Sequence, residues 1–570
     1  MSESLSPNRG NTPSAVPTSH VDSSHAPSVP SPLNPAASAK PVPKPIQREQ
    51  REKKDTLKKR EATAGRSGTP DGKSASKKQK GLSVPSPMRY SIPEPKLSDY
   101  DPPRDTVFVS HEPMPLFTPD GKTELRRAYD HAENKRAYRY SPCVADPLFH
   151  HKQYYRSTEQ RPYGPRMSIE DTDRWFHFDS TATIITNEKG WRMSRANVFA
   201  REGSLYYEVK ILNGVPAEGP VIPTGQEKTP QPHIRMGWAR REAPLDAPVG
   251  FDGYSYGITD IRFETMHRSR AGKIMLPQPK SKSKPKSKTA NPPPVHENDH
   301  VRTGDVIGLL IKLPSLALHR KVVEGIYNPA VDVSDGFDEP PSGADDIIRD
   351  RIPVPFRGNV YFEQFEYQAT KPMEGYSDRG PYNKVTPHPN HEDVQLRSLP
   401  GSEIRVYKNG QLIGTAFEKL LAFLPPASTV PVGQGQGARS GFDDGSLGYY
   451  PAVAAFCGGI AQVNFGPDFW FPPVDLGLGS ASDGTSAGRE GDVAMGGTNE
   501  EVQDEVARKR RVRGIGERWR EQIAEDIVWD IIDEVDFYVQ DGGPQYVPEK
   551  PGTSTGTAAP MARGITGRED

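Results

Sequence analysis

Cysteine is almost missing from this chain: Cys143 and Cys457 are the only two in 570 residues. Two thiols supply neither a disulfide framework nor a four-thiolate zinc site, so a reducing compartment is the natural setting. Long apolar runs are missing too. No stretch reaches about 18 apolar residues and the N-terminus lacks an apolar signal-like segment, so neither a membrane span nor a secretory signal is expected. Charge of one sign is also in short supply. With 73 Lys plus Arg against 74 Asp plus Glu, the net charge of -1 names no partner by itself.

Catalytic signatures are equally scarce. Gly433-Gln434-Gly435-Gln436-Gly437 has no strand leading in and no Gly-Lys-Ser/Thr following, so it reads as a loop and not a phosphate cradle. There is no Gly-x-Ser-x-Gly elbow and no kinase signature set, and Cys457, in an apolar stretch beside Gly458-Gly459, reads as a buried inert thiol. His296-Glu297-Asn298-Asp299-His300 matches H-E-x-x-H. That spacing binds zinc only on a helix, where both imidazoles share a face. Here Pro292-Pro293-Pro294 precedes it, Asn298 and Asp299 are weak helix formers, and no third ligand follows at protease spacing, so it reads as a chance match. A metalloprotease using His296 and His300 is kept only as a rival class. No catalytic residue, metal or cofactor is assigned.

What the chain does have is 59 Pro, 52 Gly and a mean hydropathy of -0.72, which points to one folded domain between poorly packed arms. Residues 1–92 form a Pro/Ser-rich arm without apolar periodicity, expected to be disordered; residues 1–80 carry 15 basic and 7 acidic side chains. Its clusters Arg51-Glu52-Lys53-Lys54, Lys58-Lys59-Arg60 and Lys77-Lys78-Gln79-Lys80 suit nuclear import, weak nucleic-acid contact or a merely solvated tail. Residues 93–180 read as an extended lead-in packed on the main domain.

The main domain spans 181–475 and is expected to be all-β. In 205–211, Leu205, Tyr207, Val209 and Ile211 alternate with Tyr206, Glu208 and Lys210, the pattern of a strand with one buried and one wet face. Further strands are expected at 183–186, 193–199, 233–239, 254–258, 306–313, 360–365, 404–408, 412–417, 452–456 and 461–465. Many short strands with turns between them argue for an antiparallel sandwich with long loop insertions, one of which holds the basic tract 279–288. Asn409-Gly410 marks a hairpin, since a type I′ turn needs positive φ at both central residues.

A flexible linker is expected at 476–514 and a disordered tail at 541–570. Between them, 515–540 reads as an amphipathic helix: Ile523, Ile527, Ile531 and Val535 fall four apart, flanked by Ala524, Val528 and Ile532, with carboxylates elsewhere. Such a stripe either folds back on the sandwich or lies in a partner's groove, and the linker favours the groove.

The succession of 190–197, 203–211, Ile234-Arg235-Met236-Gly237-Trp238, 248–256, 304–310 and Asn464-Phe465-Gly466-Pro467 resembles the SPRY domain, a β-sandwich recognition module. Joined to the acidic amphipathic helix, it resembles the SPRY subunit of COMPASS-type complexes that methylate the fourth lysine of histone H3, the Ash-two-like proteins of animals and Bre-two proteins of fungi. The resemblance covers about 181–540. It implies a nuclear, non-catalytic scaffold that helps hold a SET-domain methyltransferase active. The same resemblance implies that an acidic segment of a WD-repeat subunit, of the retinoblastoma-binding protein five or Swd-one type, docks on Trp191, Arg235, Pro248 and Phe251. A dimer of the Dpy-thirty or Sdc-one type would take Ile523, Ile527, Val528, Ile531 and Val535. Trp191 and Phe251 stand where animal members carry Tyr, and a further Arg expected after Tyr256 meets Thr259, with Arg262 as a possible substitute. No PHD-type Cys/His array is present. The alternative is an SPRY substrate receptor of a ubiquitin ligase, which would ordinarily add a RING, B-box or SOCS-type element.

Overall fold

The computed structural model describes residues 95–101, 114–127, 138–145, 161–216, 230–275, 300–339, 347, 352–356, 358–378, 385–430, 443–478 and 506–540. The basic clusters of the arm, the tract 279–288, the glycine loop 433–437 and His296–Asp299 of the H-E-x-x-H match lie outside them. Among the described residues three sheets form. The first runs in the order β1 (Leu116–Phe117), β2 (Glu124–Arg127), β5 (His177–Phe178), β6 (Ile184–Asn187), β19 (Gly459–Asn464), β8 (Gly203–Asn213), β13 (Val306–Leu313), β16 (Glu403–Lys408) and β17 (Gln411–Glu418), with β20 (Val512–Gly514) also on β8. The second is ordered β12 (Arg270–Gly272), β11 (Thr265–His267), β10 (Ser255–Thr259), β9 (His233–Ala239), β18 (Tyr450–Phe456), β7 (Arg192–Ala196) and β4 (Met167–Thr172). A small third sheet is β14 (Ile352–Phe356), β15 (Asn359–Phe365) and β3 (Tyr138–Pro142).

Sheets one and two enclose the core. Tyr207, Val209, Ile211, Leu309 and Ile311 from the first face Ile234, Met236, Trp238, Ile258 and Val453 from the second, all fully buried. Each such side chain contributes roughly 1.5–3 kcal/mol of apolar burial. Tyr207 and Trp238 meet edge to face at 5.0 Å, and the Tyr207 hydroxyl donates to the Gly237 carbonyl, which pins one sheet to the other. The expected hairpin is there: Asn409 and Gly410 hold φ of 50° and 79° between β16 and β17.

Several expectations need correction. The outer face of β8 is not wet. Tyr206 and Glu208 are fully buried, because the chain after β19 folds over them: Phe469, Leu476 and Leu478 pack on Tyr206, Leu310 and Tyr407. The Glu208 carboxylate accepts the backbone N–H groups of Trp470 (2.7 Å) and Phe471 (3.0 Å) and the Tyr206 hydroxyl (3.3 Å). Burial pushes the carboxyl up in pKa and those three bonds pull it back. Residues 360–365 are a strand, but in the third sheet and not in the sandwich. The lead-in supplies β1 to β5, so it is woven into the sheets; its poor periodicity reflects strands of two to six residues, too short to show one. Helices α1 (Leu316–Glu324) and α2 (Lys371–Ser377) form within stretches read as loops. Ser315 caps α1 by accepting the Leu318 N–H, and Gly325 ends it at a φ of 79°. Cys457 is half-buried in the β18–β19 turn at a φ of 47°, not within a strand.

The largest correction concerns the C-terminal segment. Within the stretch read as a linker, β20 lies parallel to β8, Val512 opposite Ser204 and Gly514 opposite Tyr206. Helix α3 (Glu517–Gln540) follows almost at once, its side chains described as far as Trp529. Its first three turns dock on the sandwich. Trp519 packs against the main core and Gln522 Nε2 donates to the Asn197 carbonyl (2.9 Å). Trp529, 8% exposed, lies so near Gly445 that a Cβ there would come within 2.5 Å of the indole. Glu521 accepts from Arg513 and Arg518 and pairs with Arg508, and Arg518 also reaches Glu525 at 2.8 Å. The stripe read from the sequence is a different face. Ile523 is half-buried, while Ile527 and Val528 are 48% and 51% exposed. Ile531 and Val535 lie beyond the described side chains.

Burial alone would raise the Glu521 carboxyl, but its bonds to Arg513 and Arg518 outweigh that and hold it at about 2, against an ordinary 4.5. The stability this lends is fully present above 4.5 and is lost as pH falls toward 2. Amide protection across 515–529, taken relative to the intrinsic exchange rate at each pH, should therefore fall on acidification through that window. Glu521→Gln should bring faster exchange at neutral pH and a flatter acid limb; identical profiles for both proteins would show that the carboxylate does not hold the helix base.

Candidate functional site

β9 sends Ile234, Met236 and Trp238 into the core, so the pleat places His233, Arg235 and Gly237 on the outer face of sheet two. Arg235 is half-buried, opposite Thr259 of β10 and Ala454 of β18. Its guanidinium carbon lies 4.8 Å from the centroid of Trp191, the residue just before β7. Trp191 in turn leans on Phe456 at 5.2 Å. Burial lowers the pKa of Arg235 and the charge of Asp260 pulls it back, yet among the described residues no carboxylate lies within ion-pairing distance of this guanidinium. A cation held by an aromatic face and left without an anion is ready to take one.

The loop that carries Pro248 and Phe251 is laid across the same outer face. Leu245 accepts the Met193 N–H (2.8 Å), tying the loop to β7. Farther on, the Val249 carbonyl presses on Gly257, where a Cβ would come within 2.5 Å of it; Gly257 sits directly opposite Gly237. Two glycines side by side let the backbone lie flat there, beside Arg235. Gly250 turns the chain at a φ of 84°, and the Phe251 N–H donates to the Pro248 carbonyl (3.0 Å). Ser269, in the β11–β12 turn, donates to the Phe251 carbonyl at 2.7 Å. The Phe251 ring is left 48% exposed, with Pro248 half-buried next to it. Burial raises the neighbouring Asp252 carboxyl to about 6, against hydrogen bonds from the Tyr254 N–H and the Ser255 hydroxyl that lower it.

All four residues singled out from the sequence thus reach the outer face of one sheet, Trp191 and Arg235 in contact and Pro248 and Phe251 joined in one turn. Thr259, where a further Arg was expected, is buried and donates its hydroxyl to the Ile261 carbonyl (2.7 Å). Arg262 is exposed in the turn beyond β10 at a φ of 60°, its N–H donating to His300 Nδ1 (3.0 Å). Sequence reasoning missed two members of this face, His233 and Asp260. His233 was legible in principle, since it stands two residues before Arg235 on a strand of period two. Asp260 was not, because a lone Asp after a strand carries no signal of what it will face.

A second candidate surface is the exposed flank of α3. Ile527 and Val528 project away from the docked side formed by Trp519, Gln522 and Trp529, so one helix presents two different faces.

No family model matches the chain. Curated relatives do. A COMPASS component cclA of Colletotrichum higginsianum is 45% identical over 92% of this chain and 88% of its own length. The Set1 complex component ash2 of Schizosaccharomyces pombe is 34% identical over 83% of this chain and 55% of its own, and COMPASS component BRE2 of Saccharomyces cerevisiae is 25% identical over 72% and 89%. Among solved structures a human SPRY domain covers 50% of this chain and 91% of its own at 12% identity and a TM-score of 0.20, too slight a likeness to add to what the sheets themselves display. With 45% identity across nearly the full length of both sequences, the chain belongs to the family of COMPASS component cclA, together with its ash2 and BRE2 relatives.

Proposed function

We propose that this chain is a nuclear subunit of a COMPASS-type histone H3 lysine-4 methyltransferase complex, and that it acts as a non-catalytic scaffold. Its relatives are named as components of COMPASS and of the Set1 complex, which supports the membership. The scaffold role draws on one observation above the rest: among the described residues Arg235 lies over Trp191 with no carboxylate partner, on the sheet face crossed by the loop that carries the exposed Phe251. A guanidinium fork accepts a carboxylate in two-point fashion, and flanking aromatic and proline faces pack the apolar groups between acids. An acidic segment of a WD-repeat subunit has that chemistry. The outward flank of α3 at Ile527 and Val528, continued in the sequence by Ile531 and Val535, suits the groove of a Dpy-thirty-type helical dimer.

Two experiments test this reading. In a reconstituted methyltransferase assay, Arg235→Ala should lower stimulation by about tenfold or more through weaker WD-subunit binding, the usual scale for losing a charge-assisted contact. Stimulation equal to that of the parent protein would remove Arg235 from the interface. Separately, Ile527→Glu or Ile531→Glu should abolish co-purification with the small dimer while the melting temperature of the sandwich stays put. Recovery of the dimer in normal amounts would reject the helix as its site.

A further inference from the structure

His233 is the outer-face neighbour of Arg235 on β9, and its ring is fixed. Nδ1 lies 3.0 Å from Asp260 Oδ2. The buried Asp260 carboxylate also accepts the N–H groups of Ile234 (2.9 Å) and Ile261 (2.8 Å), so it serves as an acceptor throughout. Nδ1 must then be the donor, which leaves Nε2 as the atom whose state can change. The side chain keeps 21% of its exposure. Trp191 and Phe456 flank the ring at centroid distances of 6.5 and 6.1 Å, Asp260 is bonded to it, and Arg235 stands two residues farther along β9. Trp191 therefore lies alongside both the guanidinium and the imidazole, and no hydrogen bond is formed by Nε2 among the described residues.

We infer that His233 is a second carboxylate-binding residue of this ledge, and that with Arg235 it selects an extended acidic segment whose two carboxylates are spaced i, i+2. The inference rests on the acidic-segment reading given above and adds a spacing rule to it. Side chains two apart on one face of a strand are separated by about 6.5–7 Å. An extended peptide laid along β9 repeats that interval, so one carboxylate meets the Arg235 fork while the next meets His233 Nε2. A carboxylate there needs an N–H facing it, so the imidazole takes up one proton from solvent as the segment binds. Asp260, bound to Nδ1, then faces an imidazolium and stabilises it.

The test uses the full chain and short fluorescein-labelled Ala/Gln peptides carrying two Glu residues placed i, i+1, i, i+2 or i, i+3, read by anisotropy at about pH 6 and about pH 8. The i, i+2 peptide should bind tightest, and more tightly at the lower pH. His233→Gln, whose amide can still donate to Asp260, should lower that affinity about tenfold at the lower pH and erase both the spacing preference and the pH dependence, with an unchanged melting temperature. Loss of binding in Arg235→Ala alone, with His233→Gln indistinguishable from the parent protein, overturns the role of His233 and leaves the acidic ledge standing. Equal binding of all three spacings also overturns the role. If no peptide binds the parent protein, the ledge reading falls and the spacing rule with it.

Discussion

The peptide groups of β8 from Gly203 to Val209 all need hydrogen-bond partners, because that stretch of the strand is buried on both faces. On one side β13 serves Gly203 to Lys210. On the other, β19 covers Glu208 to Asn213 and stops. The C-terminal segment completes the edge, with β20 lying against Ser204, Leu205 and Tyr206. Residues 512–514 are therefore part of the first sheet and not an appendage to it. The same requirement explains Glu208, whose buried carboxylate takes two backbone N–H groups of the segment that crosses the strand.

From that edge the helix inherits its position. β20 delivers the chain to α3, and the ion pairs around Glu521 and the seating of Trp519 and Trp529 fix the first turns. A helix held at its base presents its outward flank with less conformational freedom left to lose, which lowers the entropic cost of capture by a partner. The two surfaces assigned to partners, the ledge of sheet two and the flank of α3, thus hang on one framework.

The ledge depends on close backbone approach. Gly237 and Gly257 lie side by side on the outer face, and the Val249 carbonyl presses into the space that a side chain would fill. The loop bearing Pro248 and Phe251 is consequently brought down beside Arg235 and Trp191. Because the guanidinium is partly desolvated and stacked on an indole, a carboxylate reaching it meets a cation that has already given up some of its water. Asp260 compensates part of that charge without pairing with it.

Periodicity and turn chemistry made most of the sandwich legible. Alternation identified β8, the run of short strands separated by turns gave β9 and β13, and Asn409-Gly410 fixed a hairpin because few other pairs adopt two positive φ angles. The resemblance to the SPRY subunit of COMPASS-type complexes, and not the pattern by itself, pointed to Trp191, Arg235, Pro248 and Phe251 as candidates. What the amino-acid order could not carry was long-range. Tyr206 and Glu208 look like an ordinary wet face until a segment some 260 residues away covers them. The short lead-in strands have no period to read, the strand at 359–365 pairs with Tyr138–Pro142 and not with the sandwich, and Asp260 gains its meaning only from the ring and amides above it. Above all, the residues of α3 announced one apolar stripe, while the fold chose another side of the helix for docking. Local sequence sets which faces are apolar; which of them finds a complementary surface depends on where the rest of the chain has placed its glycines, arginines and open strand edges.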